Sequence, residues 1–341
     1  MSVLDTGRIL LGDGRLLDAS LAHWCSIPVD LVQRAPPDWQ PESWQTTLAK
    51  PAAVTGPATY SRRTHSTLCF EPSDRPGWWI DRTDLAEQLP IQVSVRNVWT
   101  TARNIVLRSG NPHNYLRMVE HIVALKLGLN LDNVLIRIGT GDPPLFDVGS
   151  VPLVEGIEKA GVVPQPGRPL VYWTVKEPVT VVSANGSFLH FAPARPGQRL
   201  LSLDVAIDFP SAIGRQRLQF DLFPPAFRHG AQARTNCSIV EVLYAKTLGK
   251  LFADVRGLGY TRENILIAGR RRYLNSPQLL ENGKSLEAVW HRAVLDLVAA
   301  LSLVETGRLA GTIVSFKAGH ALDVRLVLQL LLHDLLVPVA P

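Results

Sequence analysis

The chain has 341 residues, 46% of them hydrophobic, 19% charged and 7% aromatic, with a formal net charge of +5. That length accommodates two domains with cores of their own, and the composition is globular, which excludes a disordered or fibrous chain. No apolar run approaches the roughly 20 residues of a membrane span, and the first residues lack the basic and apolar parts of a secretory signal. Cys25, Cys69 and Cys237 are far apart and form no CxxC, so they read as reduced thiols of a cytoplasmic protein. The modest basic excess suits an anionic ligand or a membrane surface. Arg62-Arg63 and Arg270-Arg271-Arg272 come without a recognition motif, so no nucleic-acid partner is expected.

Residues 1–56 stand apart. A Pro- and Trp-rich stretch from Ala35 to Pro57 suits an extended segment laid over a surface, and Trp24, Trp39 and Trp44 ask for a docking groove. From Tyr60 the pattern changes to alternating strand-like runs (residues 60–73, 78–85 and 91–110). A helical stretch, Leu116 to Asn133, follows, then a strand from Asn133, a Gly/Pro-rich loop and a short helix after Ser150. Val163 to Pro169 reads as a linker by composition. The second half repeats the plan: strands broken by an Asn185-Gly186 turn, the strand SLDVAIDFP, a variable region from Ala233 to Tyr273, a helix over Ser285 to Val304, a strand into His320, and a last helix.

Strands and helices recurring in two similar halves predict an α+β fold. Its two β-α-α-β domains, an internal duplication, sandwich helices and hold a site between them. The boundaries are an N-terminal extension 1–56, a first domain 57–163 and a second domain 170–341 with a variable insert at 233–275.

The helix Leu116 to Asn133 sets Glu120 and His121 side by side within an apolar period. A buried carboxylate and imidazole are costly unless paired. One reading is a metal ligand beside a general base; the other is a core histidine with a surface glutamate. His291 and Asp296 on the second long helix, with His320 after a strand-to-helix turn, would complete a His-His-Asp metal site with a free His as acid.

Several motifs in register resemble the UDP-3-O-acyl-N-acetylglucosamine deacetylases, zinc amidohydrolases of lipid A synthesis. They are Tyr115 to His121 leading into Leu127 to Asn133, and Pro144 to Ser150; then Val175 to Val182, Asp208 to Pro210, Ala233 to Thr235, and Phe316 to Leu322. The resemblance spans roughly Thr59 to Leu336. It implies Glu120 as general base and His121, His291 and Asp296 as zinc ligands. His320 would be the cationic group that protonates the leaving amine, and Thr235 would bond the tetrahedral intermediate. Arg292, Lys317 and Asn236 would face the substrate, Arg292 as the contact to a nucleotide or phosphate. The implied partners are an acylated nucleotide sugar, its acyl chain lying in the Ala233 to Tyr273 region, and the face of the inner membrane. A protein partner for residues 1–56 is a further expectation.

The sequence departs from the family pattern at three places. The family spaces its second His four residues before the Asp, about 40° apart on an α-helix; here His291 and Asp296 are five apart, about 140°. Without a gap, Arg292 falls on the ligand position, where a guanidinium cannot bind zinc. With one inserted residue, a π-bulge would swing His291 back to Asp296. The family's Asp beside the catalytic His falls on Ala300, which predicts a lowered pKa for His320. Asn236 replaces a Phe at the substrate entrance. Two readings follow: a divergent active zinc amidase, or a catalytically impaired homologue that binds through the same cleft and the extension.

Overall fold

The β-branched run Val134–Ile138 is the middle strand of a five-stranded sheet, pairing antiparallel with His65–Pro72 and parallel with Trp78–Arg82. Ala52–Pro57 and Ile91–Gln92 close its edges. In the computed structural model, which describes residues 4–60, 64–86, 89–238 and 261–340, a second sheet has seven strands. At its centre Gly311–Phe316 runs parallel to Leu201–Phe209, with Phe316 opposite Ala206. The fold is mixed α+β, and one continuous apolar core joins both sheets to the helices Glu120–Gly128, 287–301 and His320–Leu332. None of the described helices is long and apolar enough to cross a membrane.

The first helix is shorter than its periodicity suggests, because Asn130 ends it in the left-handed region (φ 54°). Leu131 N then bonds Lys126 O at 2.9 Å and Asn130 N bonds Leu127 O at 3.4 Å, a Schellman closure. The next two residues of that motif are structural. Asp132 takes hydrogen bonds from Thr46 N and the Arg308 guanidinium, both at 2.8 Å, and Asn133 Oδ1 accepts from Gly77 N at 2.7 Å. Arg308 and Asp132, both buried, thereby pin the two halves together.

Residues 8–33 fold back on the seven-stranded sheet. Arg8–Leu11 lies parallel to Val179–Val182 at one edge, Leu31–Gln33 parallel to Gly214–Asp221 at the other, and the helix Gly14–Ser26 crosses between them. Asp13 caps that helix by accepting from Arg15 N at 2.9 Å. Leu17, Trp24 and Ile27 cover Val182, Phe188, Val314 and Phe316. Arg217, stacked 3.9 Å over the Trp24 ring, is paired with Asp204 and donates to the carbonyls of Trp24 and Ile27. The tryptophan groove expected of this segment is therefore the chain's own sheet in the case of Trp24, which lies on the helix Gly14–Ser26 ahead of the Pro-rich stretch.

Two stretches behave differently from their composition. Val163 to Pro169, expected as a linker, belongs to the strand Val162–Pro169, which pairs antiparallel with Trp44–Leu48; its prolines are tolerated because a two-stranded ribbon leaves one side of each strand unpaired. The run 91–110 breaks into three short strands around a 3-10 turn at Val95–Asn97. Arg62 and Arg63, and the residues Ile239, Val240, Val242, Leu243, Leu248 and Leu251 expected to line an acyl passage, lie outside the described residues.

His190, buried in the seven-stranded sheet with Nδ1 3.0 Å from Thr180 Oγ1, is pushed by burial down to about 4. The unfolded chain takes up its proton below about 6.5 while the folded chain does not until about 4, so stability falls as pH drops through that window. In His190→Gln this loss should disappear: the stability difference between parent and variant, read by urea unfolding at pH 7.5 and 4.5, should shift against the parent by about 2 kcal/mol. A difference independent of pH would show that His190 does not carry the acid limb.

Candidate active site

The helix 287–301 is not regular. Its central segment, His291–Leu297, is a π-helix flanked by α-helical turns Glu287–Trp290 and Val298–Leu301. Bonds from i to i+5 absorb one extra residue and bring positions five apart onto one face. His291 Nδ1 and Asp296 Oδ1 accordingly stand 3.4 Å apart. The insertion alignment is the one whose helix geometry is present.

Each neighbour is placed by its own local structure. Glu120 opens the helix Glu120–Gly128 and its Oε2 accepts from Ile105 N at 3.0 Å. Met118, just before it, has φ 48°, and Lys317, before His320, has φ 51°. Left-handed non-glycine residues leading into both helices are strain of the sort that gathers at functional sites. His121 faces His291 with ring centroids 5.7 Å apart. Arg234, buried, donates to Glu287 (Nε to Oε1, 2.6 Å), which ties the Ala233-Arg234-Thr235 turn to the first turn of the π-containing helix. Thr235 Oγ1 thereby lies 3.0 Å from His291 Nε2. His320 starts the last helix, its Nε2 3.6 Å from Asp296 Oδ1.

The six expected residues Glu120, His121, Thr235, His291, Asp296 and His320 are thus drawn into one cluster. Asn236 follows Thr235 in the short strand Thr235–Ser238 and is partly exposed. Lys317 is exposed, its backbone N held by Ala206 O at 3.0 Å. Arg292, expected at a phosphate, instead turns its guanidinium inward to Asp323, and donates to Ser315 Oγ at 3.1 Å.

Electrostatics assigns protonation states. Burial raises the Glu120 pKa, against the pull of His320. Burial, with His291 adding to it, brings His121 down to about 3, so its imidazole is neutral. Burial alone would raise Asp296, but His320 and His291 outweigh it and hold the carboxylate ionised. Losing the family's Asp at Ala300 does not leave His320 below its ordinary value. Burial works against its charge, yet Asp296, then Glu120, then Asp323 more than compensate, and the pKa is raised. Ala300 removes one carboxylate, but Asp296 faces His320 directly and Asp323 lies one helical turn beyond it.

Ser150 and Asp323 belong to the site and escaped sequence reasoning. The Ser150 hydroxyl is 3.2 Å from both His121 O and His121 Nδ1. With its proton given to the carbonyl, its oxygen accepts from Nδ1–H, leaving the His121 Nε2 lone pair free. The only sequence signal for Ser150 was its place at the end of the Pro144 to Ser150 turn; Asp323 gave none.

His121, His291 and Asp296 offer two imidazoles and an ionised carboxylate, a donor chemistry suited to zinc. Asp296 Oδ1 is buried without a hydrogen-bond partner among the described residues, as is His320 Nδ1. No group of three such side chains among the described residues already stands in ligating arrangement; His291 has Thr235 against its Nε2 and Asp296 against its Nδ1.

Comparison with known proteins now bears on this cluster. Residues 45–332 match the family described as UDP-3-O-acyl N-acetylglycosamine deacetylase. The chain belongs to this family. Among its relatives, the UDP-3-O-acyl-N-acetylglucosamine deacetylase of Citrifermentans bemidjiense is 31% identical over 84% of this chain and 89% of its own length. The enzyme of the same name from Thermosynechococcus vestitus is 32% identical over 83% of this chain and 92% of its own. That of Saccharophagus degradans is 27% identical over 85% and 91%. The family match begins at residue 45, so the strap on the seven-stranded sheet, residues 8–33, lies outside it.

In Ser150→Ala the His121 Nδ1–H loses its acceptor. Nitrogen NMR of the imidazoles should then show His121 passing from one tautomer to a mixture, with the other histidines unmoved. A single unchanged tautomer in the variant would rule out Ser150 as the group that sets it.

Proposed function

We propose that the chain is a zinc-dependent amidohydrolase that removes the acetyl group from a UDP-3-O-acyl-N-acetylglucosamine, as its relatives' names describe. The observation that supports this most is the π-turn, which sets His291 and Asp296 together beside His121 and Glu120. In this reading His121, through Nε2, His291 and Asp296 would hold the metal. When bound, zinc supplies polarisation of the acetamide carbonyl and acidifies the attacking water.

This chain's own residues handle the protons. Glu120, its pKa raised by burial, takes the proton of the attacking water. Thr235 bonds the tetrahedral intermediate. His320, held cationic by the carboxylates around it, stabilises the developing oxyanion and then protonates the departing amine. Lys317 and Asn236 stand at the rim of the cluster as substrate contacts. The two halves then act as related α+β units with the site between them. Glu120 and His121 come from the half built on the five-stranded sheet, and Thr235, His291, Asp296 and His320 from the other. The reaction belongs to lipid A synthesis, in the cytoplasm, with the substrate's acyl chain drawn from the face of the inner membrane.

An impaired homologue would rest on the five-residue spacing, on Ala300 and on the N-terminal extension as a docking segment. The π-turn that sets His291 beside Asp296, and the carboxylates around His320, support the enzyme reading instead.

Metal content of the purified protein and of His121→Ala, by plasma mass spectrometry, should give about one zinc per chain in the parent and none in the variant. Glu120→Gln should retain the zinc and lose about 10²–10⁴-fold in the rate of acetate release from the UDP-linked acylated sugar. A parent that takes up no zinc even after incubation with it, and releases no acetate, would refute the enzyme reading.

A further inference from the structure

The π-turn needs something to hold it, because a segment bonded from i to i+5 is an unfavourable exception within an α-helix. The residue after His291 supplies a candidate. Arg292 is 6% exposed, and its Nη2 reaches Asp323 Oδ1 and, at 3.1 Å, Ser315 Oγ. Asp323 is 0% exposed and sits in the first turn of the helix His320–Leu332. Ser315 is in the strand Gly311–Phe316, just before the left-handed Lys317. One guanidinium therefore ties the π-turn to the strand and the helix that carry the Lys317–His320 turn.

As a contribution to stability this pair is poor. Arg292 Nε, Arg292 Nη1 and Asp323 Oδ2 are buried without hydrogen-bond partners among the described residues. A buried ion pair left incompletely satisfied is often no better than apolar side chains of the same volume, and its best-attested use is to fix one arrangement against others. An apolar residue at position 292 could be buried equally well by a regular α-helix. A guanidinium with one buried carboxylate to meet can be accommodated in far fewer ways.

We propose that the Arg292–Asp323 pair is a latch for the π-turn, positioning His291 and Asp296 on one face and fixing both against His320. Arg292 and Asp323 are positioning residues in this role, acting through the helix backbone and not on a substrate. The proposal rests on the reading of His291 and Asp296 as metal donors for its consequence, but not for its geometry.

The test uses the full chain as Asp323→Asn, which removes the charge and keeps the shape, and as the double variant Arg292→Met/Asp323→Leu, which replaces the pair by apolar volume. Hydrogen exchange of the amides 291–297 in metal-free protein should speed up at least about tenfold in both, with the rest of the chain unchanged. The double variant should melt within about 5 °C of the parent, yet its zinc affinity, read by competition with a chromophoric chelator, should fall at least about tenfold. Unchanged exchange at 291–297 in both variants would overturn the latch. So would a double variant that exchanges faster throughout and melts early, or the failure of both variants to fold, because the pair would then hold the whole domain and not the turn. A parent that binds no zinc but shows the local change in exchange would sink the amidohydrolase reading and leave the latch standing.

Discussion

The site depends on absorbing one extra residue inside a buried helix. Between His291 and Asp296 an α-helix would place the two side chains on different faces. The helix is packed on all sides: Trp290, Ala293, Val294, Leu295, Leu297 and Val298 are buried. It cannot rotate to compensate without pulling these out of the core, and an inserted residue in a close-packed interior must be taken up locally. A π-turn is the local solution, since it widens the coil over seven residues and returns to α-helix on either side with its register against the core restored.

Three buried arginines are each matched by a carboxylate on a different element, so each pair fixes a spacing between elements. Arg234 on the Thr235 turn meets Glu287 on the helix; Arg308 beside the second sheet meets Asp132 after the first helix; Arg217 in the seven-stranded sheet meets Asp204 and supports the strap. Breaking any of these would leave a buried charge unpaired, at a cost of about 3–5 kcal/mol, although their net stabilisation is small. They are better understood as spacers than as glue. The left-handed backbone at Met118 and Lys317 costs something of order 1–3 kcal/mol each and persists only where the surroundings over-determine it; at Lys317 the bond from its N to Ala206 O is one such restraint.

Much of this was legible in the sequence, and the parts that were not share a cause. Motifs carry local constraints, so the helix that carries Glu120 and His121 (though not its start at Glu120), the Asn185-Gly186 turn and the strand into His320 could be read directly. The five-residue spacing even carried its own remedy, because a helix must bulge or lose the pair. The direction of Arg292 could not be read, since it depends on Asp323, a residue with no motif of its own, and on the π-turn already being in place. The carboxylates that support the His320 charge could not be read for the same reason. Counting the carboxylate lost at Ala300 requires only an alignment, whereas counting those that remain requires knowing that Asp296, Glu120 and Asp323 converge on one imidazole. The Pro-rich stretches misled in the opposite direction. Proline excludes central strands but not edges and two-stranded ribbons, and Val162–Pro169 is of that kind.

The extension outside the family match has a bearing on the site as well. Its helix Gly14–Ser26 covers the outer face of the strand Gly311–Phe316: the His23 ring lies edge-on to Phe316 at 5.2 Å, and its Nε2 is 3.1 Å from Asp208. On the inner side the same strand supplies Ser315 to Arg292. Strand 311–316 is therefore clamped from both faces immediately before the chain turns through Lys317 to His320. An edge would let such a strand shift in register and move its following turn by a residue, but here it is the centre of a seven-stranded sheet whose outer strands come from the extension. By pairing with Val179–Val182 and Gly214–Asp221, residues 8–33 convert two edges into interior strands, while Gly311–Phe316 is held on both sides by Phe188–Ala192 and Leu201–Phe209.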